Sequence, residues 1–241
     1  MNKIVVANLK MNMTFLETNE YIKELDQNIL DKNVIICPSS LYLPLYLNKN
    51  YSVGCQNCYS EDKGAFTGEI SPKQINSLGV EYVILGHSER RTILHETNEE
   101  INKKIKKAVT NNLNVILCVG ETKEEKDKIM TDKILERQII NCLTGIGTSD
   151  AKNIIIAYEP IWSIGTGLTP TEKEIQITIM NIKEILKNLY KELNFKVLYG
   201  GSVNEENITS INQVKEISGV LVGGASMDAK KLKKIKEVVL S

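Results

Sequence analysis

Five short segments put chemically capable side chains at the ends of apolar runs. Asn8 and Lys10 close the first run, and Gly86-His87-Ser88-Glu89-Arg90-Arg91 follows a later one. Glu159 ends the run Ile154-Ile155-Ile156-Ala157-Tyr158, where a carboxylate is costly unless something uses it. Gly200-Gly201-Ser202 and Gly223-Gly224-Ala225 end two more. Taken singly, a lysine or glutamate at such a place is usually solvated, a histidine structural and a glycine pair a turn. Together they are a different proposition. The glycines suit a phosphate cradle, because backbone N–H groups with no Cβ beside them approach an anion closely. A short helix after Gly223-Gly224 would add its positive end.

Whether these residues meet depends on the elements that carry them. Runs rich in β-branched residues recur at 4–7, 34–37, 51–55, 82–85, 115–119, 154–158, 196–199 and 220–222. Most are solidly apolar rather than alternating, as in strands covered on both faces of a parallel sheet. Between them, Ile129, Met130, Ile134, Leu135, Ile139, Ile140 and Leu143 form one helical stripe. Ile175, Ile179, Ile182, Ile185, Leu186 and Leu189 form another. Thr169-Pro170-Thr171-Glu172 offers an N-cap threonine, a proline at the first helical position and a glutamate three residues on, so it predicts a helix start at Thr169.

Roughly eight strand–helix units in this length predict an α/β fold, a single (β/α)8 TIM barrel forming one domain over residues 1–241. The alternative is a doubly wound open sheet. Against it, no GxGxxG follows the first run and no composition break marks a second domain. In a parallel barrel the C-terminal strand ends share one rim, which would bring all five segments together. The period-two pleat sets Asn8 and Lys10 on the same side. The lysine-rich stretches 103–107 and 230–236 carry Ile and Leu at helical spacing and read as solvated helix faces.

The 241 residues suffice to bury a sizeable core, and 42% hydrophobic with 25% charged residues is ordinary for a globular protein. Lys+Arg 30 against Asp+Glu 30 leaves no net charge, which argues against a nucleic-acid binder with a broad basic face. A small anion needs only local donors. The 5 cysteines are scattered, with one Cys55-x-x-Cys58 pair and no second to complete a zinc site. They read as reduced thiols of a cytoplasmic protein. The apolar run within residues 1–12 is too short for a signal peptide, and no run approaches membrane-spanning length.

In order along almost the whole chain, NLKMN, GHSERR, AYEPIWSIGTG, YGGSVN and GVLVGGAS are similar to the signature segments of the triosephosphate isomerase family. The resemblance implies interconversion of the triose phosphates dihydroxyacetone phosphate and D-glyceraldehyde 3-phosphate through an enediol(ate), with no cofactor and no metal. By matching positions, it implies Glu159 as the base, made more basic by partial desolvation. It implies His87 as a neutral electrophile, kept so by the dipole of the turn that follows it. Lys10 would offset the charge of substrate and enediolate, with Asn8 donating beside it. Gly165, Ser202, Gly223 and Gly224 fall on phosphate-binding positions. Ser88 and Glu89 would support the network, Glu89 by bracing it or by pairing with Arg90, Arg91 or a nearby lysine.

Pro160, Ile161, Trp162, Ser163, Ile164, Gly165, Thr166 and Gly167 resemble the family's lid, with Ile161, Trp162 and Ser163 as a rigid tip between hinges. Closure would exclude water from the enediolate. Residues 56–69, including Thr67, resemble the loop that reaches across a homodimer and wraps the partner's counterpart of Met11. Neither nucleic acid nor membrane is implied as a partner. Leu9, Ser163 and Leu168 depart from the family, which often has Trp or Gly, Ala and Lys there. Another phosphate-binding barrel isomerase would share the glycines but lack the Asn-x-Lys, His and Glu-Pro-x-Trp set. A non-catalytic barrel would have lost Lys10, His87 or Glu159. Cys55-x-x-Cys58 as a redox pair falls inside the loop resembling the dimer contact, and Gly165-Thr166-Gly167 lacks the strand–turn–helix context of a nucleotide site.

Overall fold

A computed structural model describes residues 2–165 and 168–241 of the chain. Its strands are β1 (Ile4–Asn8), β2 (Val34–Cys37), β3 (Ser52–Cys55), β4 (Tyr82–Leu85), β5 (Asn114–Val119), β6 (Ile154–Tyr158), β7 (Val197–Tyr199) and β8 (Gly219–Val222). They run parallel in that order and close into a barrel. Closure is made by β8 against β1, with Val5 opposite Val220 and Val6 opposite Leu221. That pairing rules out the open sheet. Each expected run is a strand to within one residue at either end.

The solid apolar runs have a simple cause: both faces of every strand are covered. Ile4, Val6, Ile35, Cys37, Ile84, Ile116, Cys118, Ala157, Leu198 and Leu221 pack together as one buried cluster. Their strand neighbours, among them Val5, Ala7, Val34, Ile36, Val115 and Leu117, belong to a second, larger one. Alternation of side chains along each strand separates the two, the first inside the barrel and the second against the helices. Counting onward by two within the first set reaches Asn8 from Val6, Glu159 from Ala157, Gly200 from Leu198 and Gly223 from Leu221. The pleat therefore delivers these residues to the mouth of the barrel.

Lys10 arrives by another route. β1 stops at Asn8, whose Oδ1 accepts the Lys10 backbone N–H at 3.0 Å, and Lys10 takes a φ of 54°. A turn, rather than the pleat, puts Asn8 and Lys10 on the same cavity.

The helices are α1 (Phe15–Asn28), α2 (Pro72–Ser77), α3 (Ser88–Thr92), α4 (Asn98–Thr110), α5 (Lys123–Asp127), α6 (Thr131–Leu143), α7 (Thr148–Ala151), α8 (Glu172–Leu189), α9 (Ile208–Gln213) and α10 (Ala229–Leu240). A 3-10 segment at Ser40–Tyr46 connects β2 to β3, and two more, at Ile161–Ser163 and Gly224–Met227, precede α8 and α10. Helix α8 begins two residues later than expected. Thr171, not Thr169, is its N-cap, accepting the Glu174 N–H at 3.2 Å while Glu174 reaches back to the Thr171 N–H at 2.7 Å. Two Thr-x-x-Glu frames overlap here, Thr169 to Glu172 and Thr171 to Glu174, and the helix uses the second.

Ile175, Ile179, Ile182 and Leu186 of α8 are buried as expected, while Leu189 is exposed. Ile129 departs from the other stripe. It lies before α6 with a φ of 56°, in the turn that reverses the chain after α5, and it is exposed. Ile140, within α6, is exposed as well. The lysine-rich stretches lie on α4 and α10, with one exception to solvation: Lys104 is buried against Glu96. No helix among the described residues is long and apolar enough to cross a membrane.

Candidate active site

Above the packed interior, at the C-terminal rim, lies a cavity of about 640 Å³ lined by Asn8, Lys10, His87, Glu159, Gly165, Ser202, Gly223 and Gly224. The five segments singled out in the sequence thus converge on one space.

Glu159 is nearly inaccessible, with 2% of its surface exposed. Its Oε2 accepts the Ser88 N–H at 2.9 Å, and its Oε1 lies 3.1 Å from His87 Nε2. Cys118, inside β5, also acts to hold this carboxylate charged. Gly120 packs so tightly beneath that a Cβ there would stand 1.7 Å from the Glu159 carbonyl oxygen. Only glycine fits that approach.

His87 is the N-cap of α3, and its Nδ1 accepts the Glu89 N–H at 3.3 Å. A nitrogen that accepts carries no proton, so a neutral ring holds its hydrogen on Nε2 and donates it towards Glu159. Electrostatics in this arrangement run opposite to the sequence expectation for both groups. Burial alone would push the Glu159 carboxyl up, but the charge and hydrogen bond of His87, the Ser88 amide and Cys118 hold it below the ordinary carboxylate range. Burial likewise disfavours a charged His87, yet the Glu159 carboxylate outweighs it and lifts the imidazole above its ordinary value. Each group is the other's main perturbation after burial.

Lys10 Nζ lies 2.6 Å from Glu89 Oε1, so the partner of Glu89 is the site lysine. Arg90 goes instead to Glu96 at 2.6 Å, and Arg91 to the Gly86 carbonyl at 2.7 Å and to Asn98 Oδ1 at 2.7 Å. On the opposite wall, Gly223 leads into the 3-10 turn Gly224–Met227, which is the short helical segment foreseen there. Ser226 Oγ pins that turn by donating to the Gly223 carbonyl at 2.6 Å.

The segment after Glu159 makes the 3-10 turn Ile161–Ser163. Trp162 Nε1 donates to Glu121 Oε1 at 2.8 Å, and the Lys126 ammonium lies 3.4 Å from the indole centroid. Tyr158 shares the same carboxylate oxygen at 3.1 Å. Ser163 is buried against Ser202, and Gly165 reaches the cavity. Thr166 and Gly167, expected at the far hinge of the lid, lie outside the described residues.

Several supporting residues escaped the sequence reading. Gln56 Nε2 donates to the Lys10 carbonyl at 2.8 Å and the Cys37 carbonyl at 2.9 Å, tying the base of the 56–69 loop to the lysine. Only the fold brings these together. Glu121 carried the same signal as Glu159, a carboxylate just past an apolar strand. Cys118 was legible by parity, since counting back by two from Gly120 puts it inside the barrel. Met11 is 93% exposed beside a second cavity of about 490 Å³, lined by Lys10, Gln56, Gly68, Glu89 and Leu94 among others. Thr67 is exposed in the neighbouring loop, where the rings of Tyr59 and Phe66 pack with centroids 4.6 Å apart.

A family model described as "Triosephosphate isomerase" matches residues 3–239. A "Triosephosphate isomerase" of Clostridium botulinum (strain Okra / Type B1) is 44% identical over 236 residues, covering 94% of this chain and 95% of its own length. One from Dictyoglomus thermophilum is 42% identical over 235 residues, covering 93% and 94% respectively. One from Finegoldia magna is 41% identical over 242 residues, covering 96% of each.

Proposed function

The chain belongs to the triosephosphate isomerase family, and on that premise we propose that Glu159, His87 and Lys10 are the groups with which it interconverts dihydroxyacetone phosphate and D-glyceraldehyde 3-phosphate, a step of glycolysis and gluconeogenesis. The observation that supports these roles is the convergence of carboxylate, imidazole and ammonium on one cavity with the glycine cradle.

The chemistry moves one proton between adjacent carbons. Glu159 removes a proton from the hydroxyl-bearing carbon, and the electron pair of that C–H bond becomes the C=C of an enediolate. His87 Nε2–H donates to the carbonyl oxygen as negative charge gathers there. The hydroxyl proton passes from the one oxygen to the other by way of His87, and return of the carbon proton to the neighbouring carbon completes the isomerisation. Lys10 opposes the charge of phosphate and enediolate, and Asn8 donates beside it. Backbone N–H groups at Gly165, Ser202, Gly223 and Gly224 hold the phosphate.

Both Glu159 oxygens are engaged, by Ser88 and His87. Reaching the substrate draws the carboxylate off those partners. Burial is then left to act on it, and its basicity rises. The same departure removes what lifts His87, and burial with the Glu89 amide favours the neutral donor. The expected basic carboxylate and neutral ring thus describe the occupied site.

Pro160 through Gly167 serve as the lid. Residues 56–69, with Thr67, reach a second copy of the chain and cover its Met11, making a homodimer whose contact orders the Asn8–Lys10 turn. The exposure of Met11 beside a groove that reaches Lys10 supports this. Five buried, unpaired cysteines suit the reducing cytoplasm. The test is a coupled assay of glyceraldehyde 3-phosphate formation with no metal or cofactor added. Turnover by the wild type, abolished in Lys10→Met with the fold retained, is expected. Full turnover in that variant would remove Lys10 from the chemistry.

A further inference from the structure

Ser163 ends the Ile161–Ser163 turn with none of its surface exposed. Two hydrogen bonds join it to Ser202. Ser202 Oγ donates to the Ser163 carbonyl at 2.6 Å, and the Ser202 backbone N–H donates to the Ser163 hydroxyl at 3.4 Å. Gly201 makes room for the approach: a Cβ there would stand 2.7 Å from Ser163 Oγ and 2.2 Å from the Tyr199 hydroxyl. The Ser202 N–H is also one of the donors assigned above to the phosphate. One hydrogen cannot serve a serine oxygen and a phosphate oxygen at full strength together.

We propose that Ser163 is a positioning residue whose hydroxyl stands in for a phosphate oxygen on the Ser202 N–H, so that arriving phosphate displaces the lid at Ser163. The inference rests on the cradle assignment made above. It gives the loop a chemical reason to respond to the anion. The phosphate takes a donor that the loop was using, and the loop is released in the same event. Part of the phosphate's interaction is thereby diverted from holding substrate to freeing Ser163, which raises KM.

Alanine tests this directly. Ser163→Ala removes the competing acceptor and keeps the backbone carbonyl that Ser202 Oγ uses. Inorganic phosphate serves as the probe, both as a competitive inhibitor of the isomerase reaction and in titrations read by the fluorescence of Trp162, the chain's 1 tryptophan. Losing one neutral competing hydrogen bond should tighten phosphate about threefold to tenfold, with KM falling in step and kcat moving less. A purely structural role for Ser163 would weaken phosphate binding or lower kcat alone. Unchanged or weakened phosphate affinity in Ser163→Ala overturns the proposal. Phosphate that fails to compete with substrate in the wild type removes the cradle assignment and this inference with it, and that outcome is read without the variant.

Discussion

His87 Nε2 lies 3.1 Å from Glu159 Oε1, while the opposite nitrogen of the same ring receives the Glu89 amide at 3.3 Å. The ring therefore stands between a carboxylate that favours its charged form and a helix terminus that opposes it. Neither ionisation is a property of one residue. A displacement of Glu159 changes both at once, and it changes them in the directions that proton abstraction and donation require.

That coupling is measurable by nitrogen NMR of the labelled imidazole. In the substrate-free wild type His87 should titrate above its ordinary 6.5. In Glu159→Gln it should fall below that value, because burial remains and the carboxylate does not. A ring that titrates alike in both proteins would break the link. The sign for stability follows from the same directions. The raised His87 contributes fully below 6.5 and less as pH climbs through its folded value, whereas the lowered Glu159 contributes fully above 4.5 and less as pH falls through its own. Thermal unfolding should show the pair's stabilisation greatest between those two values.

Glu159→Asp withdraws the carboxylate by one methylene from a site that three strands hold closely. A misplacement of about 1 Å costs roughly 10²-fold in rate. The loss should fall on kcat with little change in KM. Steady-state kinetics that gave near wild-type kcat would remove Glu159 from the base role.

Lys104 and Glu96 are paired with 8% of each side chain exposed, and Glu96 Oε2 has no hydrogen-bond partner among the described residues. Lys104→Met should therefore leave the buried Glu96 carboxylate to Arg90 and destabilise the fold by about 1.5–3 kcal/mol. Adding Glu96→Gln should recover part of that loss. Denaturant unfolding of the single and double variants checks both, and an additive result would mean that the two residues act independently.

Met11→Asp places a charge where the partner's loop would close over an apolar side chain, at a cost of several kcal/mol to association. Sedimentation and the isomerase assay on the same sample should find a monomer of much reduced activity with its far-UV helical signal intact. A fully active monomer would uncouple the contact from the Asn8–Lys10 turn. An undisturbed dimer would place Met11 outside the interface.

The strands were legible because burial on both faces leaves no polar residue to blur their ends, as 34–37, 82–85 and 154–158 show by matching the structure residue for residue. The helix start at Thr171 was not, since Thr169-Pro170-Thr171-Glu172 and Thr171-Glu172-Lys173-Glu174 present the same local chemistry and only the packing of Ile175, Ile179 and Ile182 chooses between them. Lys104 looks like its solvated neighbours on α4 until Glu96 and Asn57 are brought to it. The residues of the rim could be named from their places after the apolar runs. The direction in which His87 and Glu159 are perturbed could not, because it depends on a distance between two strands that are not neighbours in the barrel.

The alternation that separates the two buried clusters also limits how this gene can change in length. Deleting one residue within Ile154–Tyr158 would leave the strand apolar and able to pair, yet it would turn the Glu159 side chain outward among the helices. The same holds for Asn8 at the end of β1. Insertions and deletions should therefore accumulate in the connections on the far end of the barrel, while the spacing from each strand's start to its rim residue stays constant. Residue identity along these strands is free to drift, but residue number is not.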